Sequence, residues 1–371
     1  NTQMSRQYAS KREEAAAETA GTGVVLALLM WLAFTLLSVI ALPPFVRSSA
    51  SDANAVAYGI SYGMIVSVGS IGLFLESIFT KVHQAQGNML LPMLAQVAGA
   101  LCNIILDPIL IFGWGPIPEM GVAGAAYATV CGQILAAVIT GISGFYRPPS
   151  LRAMADAAKS IFHYGYPSIL MQSLYTVYVV VLNLILAGFS DEAVTVLGLY
   201  YKIQTFFFIP LNGLQTCIVP IVSYNYAAGE YNRARQTMRY SIFITVSFMI
   251  VGTLCFELIP TELLGLFSRS EQVFAIGRTA LRIIGISFVP ATFSLMLPVF
   301  FQAIGSGAPS VLLTLSRQIF CLIPIFYALS FIGLDYTWFA FPAAEIITGS
   351  VGIYLYKRQI RRWRLEFGYA G

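Results

Sequence analysis

Ten long, mostly apolar stretches follow one another along the chain, at about 22–46, 54–79, 90–113, 121–145, 161–189, 193–223, 240–259, 279–303, 308–333 and 335–356, and charged residues are nearly confined to the joints between them. A helix needs about 20 apolar residues to cross the hydrocarbon of a bilayer. Stretches of that length, repeated over the whole chain, predict an all-α, multi-pass membrane protein. Composition agrees: of 371 residues 57% are hydrophobic and only 10% charged, with a mean hydropathy of +0.75. A water-soluble protein of this size could not hide that much apolar surface. The net charge of +4 is no sign of nucleic-acid binding, because the basic residues lie in loops and at the C-terminal end.

Alternate loops differ in charge. One set, made of the N-terminal segment, Lys81, the 146–160 loop, Arg233, Arg235, Arg239 and the C-terminal KRQIRRWR, holds 15 Lys and Arg; the other holds four, Arg47, Arg269, Arg278 and Arg282. By the excess of basic residues on the inner side, both ends of this chain are expected in the cytoplasm. Tyr8-Ala9 matches Tyr226-Ala227, and Gln84-Ala85-x-Gly87 matches Gln302-Ala303-x-Gly305, both at an offset of 218 and both at cytoplasmic span boundaries. The halves therefore read as parallel repeats. Two spans precede Tyr226 and none precedes Tyr8, so the repeat predicts two six-helix lobes of which the first two helices are missing. The expected division is 1–147, an N-lobe with four of six helices, and 148–371, a C-lobe with six and a basic tail. A first residue Asn, not Met, fits that expectation.

Asn103 and Asp107 stand four residues apart in a run otherwise made of Ile, Leu, Val, Ala and Cys, so a helix projects both from one face. An intramembrane carboxylate is costly unless it is paired, solvated or protonated, and marks a functional site by default. The alternative is that Asp107, followed by Pro108, satisfies backbone groups at a helix irregularity. Glu76 follows Tyr62 by 14 residues on nearly the same face; it either attracts a cation or pairs with Lys81. Lys202 and Glu345 each have a pairing role open to them. The cysteines 102, 131, 217, 255 and 321 all lie in apolar runs without a CxxC pair, and His83 and His163 are isolated, so neither a disulfide framework nor a metal site is expected. Pro167, Pro210, Pro290 and Pro298 are expected to bend their helices.

Two parallel lobes with a polar face in one of them describe an alternating-access transporter. The residues also resemble a family. Tyr62 and Gly69, then QAQGN with Pro92-Met93, then Asn103-Ile-Ile-Leu-Asp107-Pro108, then Gly121-Val-Ala-Gly124-Ala-Ala-Tyr-Ala-Thr129 stand in the order and spacing of the first lobe of the multidrug and toxic compound extrusion (MATE) transporters. The resemblance weakens in the second lobe, through Gln302-Ala303-Ile304-Gly305 and Pro342-Ala-Ala-Glu345. It implies a cation or proton site on Asn103, Asp107 and Thr129 with Tyr62 nearby, and Glu76 as a secondary candidate. It also implies an acidic residue on a first span that this sequence does not contain.

Positions equivalent to Asn103 and Asp107 in the second lobe are Cys321 and Ile325, and the helices that carry carboxylates in sodium-coupled members offer Gln172, Tyr175, Asn183 and Tyr178. The coupling ion is therefore expected to be H+, with Na+ as the alternative and no cofactor. Gln172, Tyr175, Tyr178, Phe293 and Met296 are candidates for a substrate cavity. The expected activity is secondary active export of small amphipathic or cationic compounds from a monomer in the cell membrane, with drug-like small molecules and the bilayer as its partners. A lipid-linked oligosaccharide flippase would call for a strongly cationic lumen, and the spans hold few basic residues, chiefly Lys202, Arg282 and Arg317. An intramembrane enzyme would call for converging His, Ser or paired carboxylates, and no such spacing is present.

Overall fold

A computed structural model describes residues 1–49 and 52–367. The order of elements is α1 (Thr2–Ala9), α2 (Glu13–Ser49), α3 (Ala53–Gly69), α4 (Ile71–Ala85), α5 (Leu90–Phe112), α6 (Gly121–Gly144), α7 (Leu151–Ala187) and α8 (Asp191–Ala227). It continues with α9 (Tyr231–Leu258), α10 (Pro260–Gly265), α11 (Glu271–Gly285), α12 (Phe288–Ala303), α13 (Gly307–Leu315), a π-helical turn (Ser316–Leu322), α14 (Ile323–Ser330), α15 (Leu334–Thr337) and α16 (Ala340–Phe367). No strand occurs among the described residues. Within those residues, eight helices, or continuous runs of them, are long and apolar enough to cross a membrane, and the pairs α3/α4 and α11/α12 bring the number to ten if each is one span. The protein is an all-α, multi-pass membrane protein.

The two pairs depart from the unbroken spans expected at 54–79 and 279–303: α3 and α4 meet at 41°, α11 and α12 at 55°. A break frees carbonyls, and in lipid these must find donors within the protein. At the first, the Ser67 carbonyl accepts from Ser70 Oγ at 2.7 Å and from Thr35 Oγ1 at 3.3 Å, and the Val68 carbonyl accepts from Trp31 Nε1 at 3.1 Å. At the second, the Ile284 carbonyl accepts from Ser287 Oγ at 2.6 Å and the Gly285 carbonyl from Thr253 Oγ1 at 2.9 Å. Side-chain hydroxyls and the Trp31 indole stabilise these breaks, and at the second Pro290 has no N–H for the Ile286 carbonyl, which lies in the break. Helices α7 and α8 run on through Pro167 and Pro210, and Pro290 falls in the first turn of α12, just past its break. The π-helical turn in the ninth span has a proline cause: Pro324 has no N–H for the Phe320 carbonyl and its ring crowds that group, so the ladder widens upstream.

The 218-residue offset extends to the element boundaries. The ends of α1, α4 and α5 match those of α8, α12 and α14, and the starts of α2 and α3 match those of α9 and α11, residue for residue. Local chemistry repeats as well. Asp52 caps α3 by accepting from Ala55 N, and Ser270 caps α11 by accepting from Val273 N. The α4 turn closes with Gly87 N on Gln84 O and Asn88 N on His83 O; the α12 turn closes with Gly305 N on Gln302 O and Ser306 N on Phe301 O. Gly87 and Gly305 both have positive φ, 83° and 74°, as this helix-ending turn requires. At the equivalent turn after α1, Lys11 adopts φ 57° where the second half has Gly229 at 78°.

Two compact units divide within α7, Gln3–Phe162 and a second that begins at His163. Packing differs between them. In the first, α6 lies against α3, α4 and α5 through small residues: a Cβ on Gly99 would come 2.6 Å from the Gly132 carbonyl oxygen, and one on Gly124 would come 2.4 Å from that of Leu110. Lipid offers no hydrophobic drive between helices, so close backbone approach and dispersion carry this contact. The second unit packs around large rings instead. Trp338, Trp363, Phe256, Phe288, Phe300 and Phe326 are fully buried there, and Phe256 and Phe288 lie with ring centroids 4.6 Å apart.

Candidate functional site

Helix α5 brings Asn103 to α6, where its Nδ2 donates to Thr129 Oγ1 at 3.3 Å, and Thr129 Oγ1 donates in turn to the Ala125 carbonyl at 3.0 Å. The close Gly99–Gly132 crossing makes this reach possible, since any side chain at either position would push the helices apart. Asp107 follows one turn later, partly exposed, and its carboxylate has no hydrogen-bond partner among the described residues. It therefore satisfies no backbone group near Pro108, and α5 continues unbroken to Phe112.

A cavity of about 290 Å³ opens beside this pair, between α4, α5 and α6, and Asn103 and Thr129 line it together with Glu76, Gln96 and Gln133. Asp107 and Tyr62 lie outside that lining. Glu76 is only 8% exposed. Thr80 Oγ1 donates to its Oε1 at 2.6 Å and Gln96 Nε2 donates to the same atom at 3.3 Å. Both partners are neutral. Lys81 Nζ donates to Gln84 Oε1 at 3.1 Å. The Gln133 Oε1 atom is buried without a hydrogen-bond partner. Five polar side chains thus meet in an otherwise apolar span region, and Glu76 is the one ionisable residue among the cavity's lining. An enclosure of this kind suits a cation or a proton far better than an anion.

Beyond this cavity, the second unit holds the candidates that the sequence offered for a substrate cavity, and the structure separates them. Tyr178 and Met296 are buried in the packed core, Phe293 packs partly buried against it, and Gln172 and Tyr175 are exposed. The Tyr175 and Tyr178 rings meet edge to face at 5.3 Å. Lys202 Nζ stands 6.0 Å from the centroid of the Phe267 ring.

Glu345, for which the sequence left a pairing role open, is in an ion pair whose partner the sequence did not name. Arg317, in the π-helical turn, donates from Nε at 2.9 Å and from Nη2 at 2.6 Å to Glu345 Oε1 on α16. Ser294 Oγ donates to the other carboxylate oxygen. Arg317 and Glu345 side chains are 11% and 7% exposed, so each charge depends on the other. The available signal was their isolation: two opposite charges alone in neighbouring apolar spans have few other partners.

The MatE family matches residues 1–109 and 167–328 of the chain. A curated relative, the FAD transporter of Shewanella oneidensis, is 24% identical over 305 residues, 80% of this chain and 68% of the relative. The multidrug export protein MepA of Staphylococcus saprophyticus is 23% identical over 288 residues, 75% of this chain and 62% of MepA. Among solved structures, a MOP superfamily transporter from Pyrococcus furiosus has the same fold, with a TM-score of 0.87 at 24% identity, covering 98% of this chain and 83% of that one.

Proposed function

Because this chain belongs to the MatE family, we propose that it acts as a secondary transporter that exports small amphipathic or cationic compounds in exchange for a cation. The observation that carries this reading is the polar track of the first unit: Asn103 bonded to Thr129 across α5 and α6, with Asp107 one turn on and Glu76 in the adjoining cavity. The coupling ion in this reading is the proton. In this reading Asp107, the acidic side chain on the helix that carries Asn103, takes up a proton from the outside and releases it to the cytoplasm as the site alternates. Asn103 carries both a donor and an acceptor and can serve either form. Both chain ends lie in the cytoplasm, and the functional unit is a monomer. Relatives named for multidrug export support the substrate class. The relative named FAD transporter suggests an anionic cargo, but the single ionisable residue of the cavity is an acid and the buried Arg317 is already neutralised by Glu345. That same neutralisation speaks against a pyrophosphate-carrying flippase.

Reconstitution in vesicles tests this. A pH gradient, acidic on the side opposite the cytoplasm, should drive ethidium uptake against its gradient by the wild-type protein and not by Asp107→Asn. An isosteric amide keeps the fold but cannot titrate. Wild-type rates and an unchanged pH dependence in Asp107→Asn would remove Asp107 from the mechanism; sodium-driven, pH-indifferent transport would overturn the proton.

A further inference from the structure

One face of α16 changes character along its length. Ile347, Val351 and Tyr354 recur at helical spacing, and Arg358 and Arg361 continue the same series, so all five side chains project from one side. Each is exposed: Ile347 by 46%, Val351 by 39%, Tyr354 by 64%, and both arginines as well. The other side of the helix end is held. Ile360 and Trp363 are buried there, and the Trp363 ring lies 5.5 Å from that of Tyr226, 5.0 Å from Tyr231 and 5.8 Å from Phe300. Anchored against α8, α9 and α12 in this way, α16 cannot turn about its axis to hide the arginine pair.

The dimensions are those of a lipid. From Ile347 to Arg358 the helix rises about 16 Å, roughly the depth of one leaflet of a hydrocarbon core about 30 Å thick. Tyr354 stands one turn before the charges, where amphipathic rings sit at the membrane–water boundary. Between Ile346 and Leu365 the helix carries no Asp or Glu. Arg358 and Arg361 make no ion pair or hydrogen bond among the described residues, whereas Arg317, inside its span, is paired with Glu345. Membrane orientation asks only that basic residues lie on this side. It does not ask that two of them continue an exposed apolar stripe.

We propose that this face of α16 is a binding site for an anionic phospholipid of the leaflet at the basic end of the helix. One acyl chain lies along Ile347, Val351 and Tyr354, and the phosphate oxygens accept from the Arg358 and Arg361 guanidinium groups. The continuous stripe selects a lipid over a soluble phosphate, which would meet the arginines alone. Binding here needs neither transport nor Asp107.

The test places a bimane label on Ser350→Cys, exposed beside the stripe, in a background freed of native cysteines and reconstituted in phosphatidylcholine vesicles. A small fraction of phosphatidylglycerol or phosphatidylcholine with a nitroxide on its acyl chain quenches the label as it occupies the face. Phosphatidylglycerol should associate about fivefold more strongly than phosphatidylcholine, and Arg358→Gln with Arg361→Gln should bring that ratio below about twofold. Tyr354→Glu, which sets an acid beside both arginines, should lower the ratio too, and it serves if the double variant does not insert. Arg152→Gln with Lys159→Gln removes two exposed bases of the first unit and should leave the ratio unchanged, as should an excess of soluble glycerol 3-phosphate. Equal association of the two lipids before substitution, or an undiminished ratio in Arg358→Gln/Arg361→Gln or in Tyr354→Glu, would overturn the proposal. So would an equal loss in Arg152→Gln/Lys159→Gln, which would mean a general surface potential, or displacement by glycerol 3-phosphate, which would mean a phosphate site.

Discussion

Thr35 and Thr253, 218 residues apart, make the same hydrogen bond at the same point of each half: Thr35 Oγ1 donates to the carbonyl of Ser67, and Thr253 Oγ1 to that of Gly285. Each is the clamp on a broken span. Thr35→Val and Thr253→Val should each lower stability by about 0.6–1.5 kcal/mol, the range for one such bond. The double variant should lose the sum, since the residues share no partner. Thermal denaturation in detergent reads both; loss in only one half would mean that the other break is held by its serine.

Breaking the Arg317–Glu345 pair leaves a buried charge alone. Arg317→Met should destabilise by roughly 3–5 kcal/mol, and adding Glu345→Gln should recover most of that loss because the uncompensated carboxylate is then gone. A double variant no better than the single would show that packing around the guanidinium, not charge, sets the cost.

Asn103→Ala and Thr129→Val should impair pH-driven export less than Asp107→Asn does. Each removes one partner from the bond that joins α5 and α6 and leaves Asp107 in place, so a rate loss of about 2–10-fold is expected, the equivalent of ~0.5–1.5 kcal/mol. Initial rates in vesicles decide. A loss as complete as that of Asp107→Asn would assign the coupling function to the amide–hydroxyl pair.

Two glycines should respond in opposite directions. Gly124→Ala puts a methyl 2.4 Å from the Leu110 carbonyl oxygen and should cost about 1–3 kcal/mol as the helices are forced apart. Gly198→Ala meets nothing within 4 Å and should gain roughly 0.5–1 kcal/mol from reduced backbone freedom in the helix. Unfolding midpoints of the two variants check this directly.

Cysteines placed at Ser150 and Asp191, both exposed and at opposite ends of α7, should label from opposite sides in a background freed of native cysteines. Labelling by an impermeant thiol reagent should reach Asp191→Cys in intact cells and Ser150→Cys only after permeabilisation. The reverse pattern would invert the proposed orientation.

The spans were legible because lipid demands length, and ten apolar runs of sufficient length can be counted without knowing their neighbours. Their breaks were not. Thr35 and Trp31 hold the first from another helix, and nothing in the 54–79 stretch announces such donors. Asn103 and Asp107 could be placed on one face from spacing alone; the Thr129 partner came from family resemblance, and the structure sets it 3.3 Å from Asn103. Arg317 and Glu345 are 28 residues apart on separate helices, so only their shared isolation hinted at a pair. The cavity escaped notice for a simpler reason: its lining comes from three helices, α4, α5 and α6, and no one stretch of sequence shows it. Tyr178 and Met296, offered by the sequence as cavity residues, lie in the packed core, which large apolar side chains fill as readily as they line a cavity.

The matched boundaries carry a consequence for length. Identity between the halves is slight, and the residues at their polar centres differ, Glu76 against Ser294, Gly99 against Arg317 and Asp107 against Ile325. Five helix ends nevertheless keep a common count, even where α2 runs whole and its counterpart stops at Leu258 and resumes as α10. Residue number, more than residue kind, is what the two halves share. Insertions or deletions of a single residue between Tyr8 and Phe112, or between Tyr226 and Ser330, should thus be tolerated far worse than most substitutions there, including inside the connecting turns that in other proteins absorb such changes freely.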